Sequence, residues 1–160
     1  MNKSTKYSKV LFILHMPPPV HGASMVGKYI HDSKIINNAF ECHYLNLALA
    51  KDLDDIGKGG IRKLKEFYKQ LKQIRKQTKL IVPQLCYVTP NAKGGAFYKD
   101  FFVVMLLKMM RQNIVVHYHN KGIATRQNRY FDNLLYSTFF KNLKVILLLS
   151  LIHISEPTRL

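Results

Sequence analysis

KVLFILHMPPPVHGASMVGKY, residues 9–29, begins with an unbroken apolar run, Val10-Leu11-Phe12-Ile13-Leu14. A run this short and continuous suits a strand covered on both faces, the central parallel strand of an α/β sheet. A stiff turn follows at Pro17-Pro18-Pro19, and from His21-Gly22-Ala23-Ser24 the apolar spacing becomes helical. Gly22 can take backbone angles closed to other residues and lets a ligand approach the chain closely. Ser24 reads as an N-cap, and the unpaired N–H groups of the turn after it attract anions. Strand, tight small-residue turn and helix is how open α/β sheets build ligand sites at the carboxyl ends of their strands. The competing reading is a connecting loop that needs small residues only for packing.

Outward from this stretch, strands and helices alternate. Residues 23–33 read as a helix with Met25, Val26, Tyr29 and Ile30 on one side, and 41–49 as a strand with Tyr44, Leu45 and Leu47 in the core. Residues 51–60, KDLDDIGKGG, form a loop. Its Gly57-Lys58-Gly59-Gly60 lacks the spacing and the final Ser/Thr of a phosphate-binding P-loop. Residues 61–79 are the clearest amphipathic helix, with an apolar stripe of Ile61, Leu64, Phe67, Tyr68, Leu71 and Ile74. Strands follow at 84–89, 113–119 and 144–148, and helices at 96–111, buried nearly all round, and at 129–141, with Tyr130, Leu134, Leu135 and Phe139 inward. This order implies an α/β fold with a parallel, doubly wound sheet of about five strands, helices on both faces and right-handed crossovers.

The 160 residues have room for one domain, and 48% apolar content with nine Tyr and nine Phe argues against disorder. A net charge of +16 points to an anionic partner: nucleic acid, an acidic membrane surface or a phosphorylated substrate. In 61–79, eight Lys/Arg stand against the single Glu66. Either they form a solvated face, or Lys65, Lys69, Lys72, Arg75 and Lys76 lie against acidic lipid head groups. Cys42 and Cys86 fit no metal spacing and read as reduced and buried. Residues 1–8 form a basic tail without a signal-peptide cleavage site, and no apolar run approaches the roughly eighteen residues of a spanning helix. A cytoplasmic chain is expected, peripheral at the inner face of the plasma membrane if the basic helix meets lipid.

The chemistry-bearing candidates cluster by position. His117 and His119 share one face of a strand, but without neighbouring Asp, Glu or Cys they make a poor zinc site. His119 ends the fourth strand on the same sheet edge as residues 17–24, so His119-Asn120-Lys121 offers two hydrogen-bonding side chains and a cation to the crevice. His15 ends its strand there as a packing histidine. No nucleophile occupies a strained elbow, and GxGxxG is absent, which argues against a serine hydrolase and a dinucleotide-binding oxidoreductase.

VLFILHMPPPVHGAS, NLALAKDLDDIGKGG, GGAFYKD, VVHYHNKG and FDNLLYSTFFKNLKVILL, in this order and spacing, together resemble bacterial family 4 glycosyltransferases, specifically the amino-terminal half of their GT-B fold. The likeness spans residues 9–148. It implies a Rossmann-like domain on the acceptor side of a cleft, in a retaining transferase of surface polysaccharide synthesis. Its substrates would be a nucleotide-sugar and a glycan or polyprenyl-linked acceptor, with no metal or other cofactor. The resemblance places His21, Gly22 and Ala23 in the loop near the donor's diphosphate, with Asn120 and Lys121 on the same lip; Ser24, the N-cap candidate of that turn, is counted with them as substrate-binding. It makes His119 the histidine facing the transferred sugar, as a positioner of hydroxyls. The family continues into a donor-binding second domain with a Glu pair, which this chain lacks. Instead, residues 149–159, LSLIHISEPTR, read like the translation of a transposase sequencing adapter, so 149–160 are expected to be non-native and the 160-residue chain alone inactive. The rivals are a small basic module for nucleic acid or an anionic membrane, and a non-catalytic acceptor-binding subunit. Nucleic acid is disfavoured because no recognition helix, aromatic RNA-binding strand or zinc module is evident.

Overall fold

The computed structural model describes residues 8–47, 60–91, 94–118 and 130–147. They form β1 (Lys9–Leu14), α1 (Gly22–Asp32), α2 (Lys34–Ala39), β2 (Glu41–Asn46), α3 (Gly60–Ile81), β3 (Leu85–Val88), α4 (Gly94–Met109), β4 (Ile114–Tyr118), α5 (Tyr130–Phe140) and β5 (Lys144–Leu147). The five strands make one all-parallel sheet in the order β2-β1-β3-β4-β5. The fold is α/β and Rossmann-like, as the alternation of elements predicts. Residues 1–7 of the expected tail (1–8), most of the 51–60 loop, His119-Asn120-Lys121 and residues 149–160 lie outside the described residues.

β1 is apolar throughout because both its faces are covered. Val10, Phe12 and Leu14 pack with Ile30 of α1, Ile36 of α2 and the strand neighbours Tyr44 and Tyr87. Leu11 and Ile13 belong to the larger core, which takes Ile74 and Ile81 from α3, Phe97, Val103, Val104 and Leu107 from α4, and Tyr136 and Phe139 from α5. The chain steps from β1 out to β2, then crosses back over β1 to reach β3. Crossovers of one hand therefore put α1 and α2 on one face and α3 to α5 on the other.

Several side chains fall elsewhere than their periodicity predicts. α3 turns Phe67, Leu71, Ile74, Thr78 and Ile81 inward, while Leu64 and Tyr68, read as part of the stripe, are exposed. Tyr29 and Leu134 are also exposed, and Tyr136 takes the inward place on α5. α4 is less enclosed than its composition implies, with Phe102 and Met109 in solvent. α2 was not expected; Ser33 caps it by accepting the Ile36 N–H, and Ile36 anchors it to the core. Both cysteines are free; Cys86 is buried and Cys42 only partly so.

Among the described residues, three helices end in a left-handed residue: Val82 after α3 (φ 50), Arg111 after α4 (φ 55) and Asn142 after α5 (φ 59). The end of α5 has a second support. Lys108 Nζ on α4 donates to the carbonyls of Thr138 (2.9 Å), Phe139 (2.6 Å) and Lys141 (2.8 Å), satisfying acceptors that a helix terminus leaves open.

Candidate functional site

The strand order reverses between β1 and β3, the place where open α/β sheets bind ligands beyond the carboxyl ends of their strands. The turn after β1 runs through Pro17-Pro18-Pro19, whose two Pro–Pro bonds are cis, to His21. His21, not Ser24, is the N-cap of α1, and this corrects the sequence reading. Its Nδ1 accepts the Ser24 N–H at 3.2 Å, and Ser24 Oγ accepts the His21 N–H at 2.9 Å, a reciprocal capping box with histidine in the usual Ser/Thr place. Ser24 is fully buried, and its hydroxyl also lies 2.8 Å from the Pro19 carbonyl oxygen, so it holds the turn from inside rather than lining the crevice.

Gly22 begins the helix without a left-handed φ, so the backbone there does not require glycine, contrary to the expectation from its sequence context. A Cβ on it would meet nothing within 4 Å. Ala23 follows, half-buried. The capping box occupies the Ser24 N–H and leaves those of Gly22 and Ala23 as the donors of the first turn. The glycine that packing demands is Gly27, one turn on, which lets α1 lie against the end of β1.

Behind this turn is a buried polar group that the sequence reading passed over except for His15. The His15 N–H donates to Thr89 Oγ1 at 3.2 Å, linking the ends of β1 and β3. Asp100, fully buried on α4, accepts at Oδ2 from both the backbone N–H and the side-chain amide of Asn91, each at 2.8 Å. Asn91 Nδ2 lies 2.9 Å from His15 Nε2, which is itself 3.5 Å from Asp100 Oδ2. Asp100 Oδ1 has no hydrogen-bond partner among the described residues, with Lys99 Nζ 3.8 Å away and donating to the Leu47 carbonyl instead. The Tyr118 hydroxyl at the end of β4 is also buried and unbonded among the described residues; burial, then the charge of Asp100, pushes its pKa up. One signal for this cluster was available: Asp100 is the only acidic residue in the largely apolar α4, and a buried carboxylate needs partners.

His21 stands 6.3 Å from His15, ring centre to ring centre. Its pKa is lowered, first by partial burial and then by the like charge that His15 can carry. His117 faces away from this group and hydrogen-bonds the Tyr87 hydroxyl on the α1 side of the sheet. Burial lowers the His117 pKa and raises that of Tyr87 to about 12. His119, Asn120 and Lys121 lie outside the described residues. Of the expected ligand contacts, the structure brings His21, Gly22 and Ala23 together at the start of α1, beyond the carboxyl end of β1.

The second expected surface is on α3. Lys65, Lys69, Lys72 and Lys76 recur at three- and four-residue spacing on the side opposite the buried stripe, with Arg75 on its flank, and all five are exposed. Lys72 Nζ sits 5.0 Å over the Tyr68 ring. Among the described residues no three His, Cys, Asp or Glu come together as a metal site, and no helix is long and apolar enough to cross a membrane. No protein-family model, curated protein or solved structure matches the chain.

Proposed function

We propose that the chain is the acceptor-side half of a retaining GT-B glycosyltransferase, which moves a sugar from a nucleotide-sugar to a glycan or polyprenyl-linked acceptor. The observation that supports this reading is the strand-order reversal between β1 and β3, with the start of α1 at the carboxyl end of β1. There the first turn of α1 leaves the Gly22 and Ala23 N–H groups outside the capping box, with space around the Gly22 Cα and the His15–Asn91–Asp100 group close by. It is the place the motif resemblance assigns to the donor's diphosphate. In such a transfer the sugar gains positive charge as the diphosphate leaves with negative charge. Fixed N–H dipoles at a helix start stabilise the departing anion without reorganising. His119 would position sugar hydroxyls, with Asn120 and Lys121 extending the same lip. No metal is required in this half of the reaction as proposed.

The exposed basic face of α3 extends the proposal to location. A transferase acting on a polyprenyl-linked acceptor works at a bilayer, and each Lys or Arg near an anionic surface is worth about 1 kcal/mol. The five exposed cations would hold the enzyme at the inner face of the plasma membrane. Binding to anionic vesicles but not to neutral ones is the expected result; equal binding to both removes the membrane role. Strongly salt-dependent binding to generic DNA or RNA would favour the nucleic-acid alternative.

The family reading is tested by determining the source DNA past codon 148. It predicts an open frame into a second Rossmann-like domain with a paired-Glu motif. A genome-encoded LSLIHISEPTR followed by a stop codon would overturn it.

A further inference from the structure

The fully buried Asp100 has no part in the proposed transfer, yet its contacts bear on the proton position of a neighbouring ring. An ionised carboxylate only accepts hydrogen bonds, so the Asn91 atom 2.8 Å from Oδ2 is the amide nitrogen; the amide oxygen there would set two acceptors in contact. That nitrogen has a second hydrogen, and His15 Nε2 lies 2.9 Å from it. An amide nitrogen donates and does not accept, and the 3.5 Å from Nε2 to Asp100 Oδ2 is beyond ordinary hydrogen-bond length, so in a neutral ring Nε2 is the bare nitrogen and Nδ1 carries the proton. This is the less favoured form of a free imidazole, so the surroundings must select it. The His15 N–H bond to Thr89 Oγ1 holds the residue's backbone in place. No described side chain bonds Nδ1; the buried ring lies 6.3 Å from that of His21, whose chain neighbour Gly22 has open space where a Cβ would stand.

We propose that Asp100 is a positioning residue. Acting through the Asn91 amide, it holds His15 as the Nδ1–H tautomer, so that His15 donates a hydrogen bond to an oxygen of a ligand in the β1/β3 crevice. That oxygen is a sugar hydroxyl or a phosphate oxygen. The inference rests on the proposed glycosyl transfer only for the ligand's identity; the tautomer is inferred from the Asn91 contacts with Asp100 and His15.

The test is a long-range proton–nitrogen spectrum of the full chain labelled at histidine, recorded above the imidazole titration range. His15 should show a protonated-type Nδ1 and a bare-type Nε2. Asn91→Ala and Asp100→Leu should each move the ring to the Nε2–H form or to a mixture, whereas Asp100→Asn, which keeps an acceptor oxygen, should preserve Nδ1–H. An Nε2–H wild-type ring overturns the proposal without any variant, and an unchanged tautomer in both Asn91→Ala and Asp100→Leu overturns the role of Asp100. For the ligand, methyl α-glucoside and inorganic phosphate are titrated separately against the wild type. A shift of the His15 Nδ1 resonance with the glucoside identifies a hydroxyl, and one with phosphate an anionic oxygen. Response to neither overturns the ligand contact. Because the tautomer is read without ligand, its failure is distinguishable from failure of the transferase reading.

Discussion

A Cβ built on Gly27 would sit 2.0 Å from the carbonyl oxygen of His15, so the helix that opens the crevice touches the strand that floors it with no room for a methyl group. The nearest atoms, the carbonyl oxygen and carbon of His15, belong to backbone and cannot swing aside. Gly27→Ala should therefore lift α1 off β1 and destabilise the fold by about 2–3 kcal/mol, as overpacking in a core does. Gly22→Ala, at a position with open space, should stay within about 0.5 kcal/mol of wild type. Urea denaturation of the two variants checks the contrast, and equal midpoints would contradict it.

The start of α1 should depend on pH. The folded-state pKa of His21 lies below its ordinary value of 6.5, mainly through partial burial. Below that value the unfolded chain takes up the proton more readily than the folded one. The stabilisation is therefore complete above about pH 6.5 and is lost as the pH falls through the folded-state pKa. Protonation also removes the acceptor of the Ser24 N–H, opening the capping box. Amide exchange at Ser24, corrected for the intrinsic pH dependence of exchange, should show protection falling on acidification in the wild type. His21→Asn, which keeps a capping acceptor that does not titrate, should hold its protection over the same range.

How much of this was legible in the sequence depended on whether the information was local. Val10 to Leu14 announced a central strand because a residue run apolar on both faces has only one kind of home, and the sheet confirms it. The stripe on α3 was legible as a stripe but not in its width. Leu64 and Tyr68 satisfy helical spacing, yet they lie on the flank that neither α4 nor the sheet covers. The turn at 17–24 was legible as a site-forming turn. Its cap was misassigned because histidine at the N-cap is rare enough that Ser24 looked the better candidate, and only the fold shows Ser24 answering His21 from the third helical position. The Asn91–Asp100 group joins residues from a loop and a helix to His15, 76 residues earlier in the chain for Asn91, and such partners are set by topology rather than by any local pattern.

Val82 carries a β-branched side chain at φ 50, a conformation in which its Cβ crowds the backbone, and the side chain is exposed with little packing to lose. Its N–H caps α3 on the Thr78 carbonyl at 3.0 Å, which glycine retains. Val82→Gly should therefore stabilise the protein by about 0.5–1 kcal/mol, the relief of strain exceeding the extra freedom of glycine in the unfolded chain. A lower thermal midpoint in the variant would contradict this.

Lys108→Met keeps the aliphatic stem and removes the three donations to the end of α5. A charged donor shared among carbonyls in a half-buried place supports a loss of about 2 kcal/mol. The loss should appear first as faster amide exchange from Lys141 to Leu143, where the chain turns from α5 into β5. Uniform loss across the whole sheet, with no local excess, would show that Lys108 acts only on global stability.

The central claim is that the crevice at the β1/β3 reversal holds the sugar-bearing ligand, while the basic face of α3 serves a different partner. Titration of the nitrogen-15-labelled chain with uridine diphosphate glucose, followed residue by residue, tests it most directly. The account predicts resonance shifts concentrated at His15, His21, Gly22, Ala23 and Asn91, with Lys65, Lys69, Lys72, Arg75 and Lys76 little changed. Shifts confined to those five cations, and reproduced by inorganic diphosphate, would contradict it, leaving a basic surface that binds anions and a crevice that binds nothing.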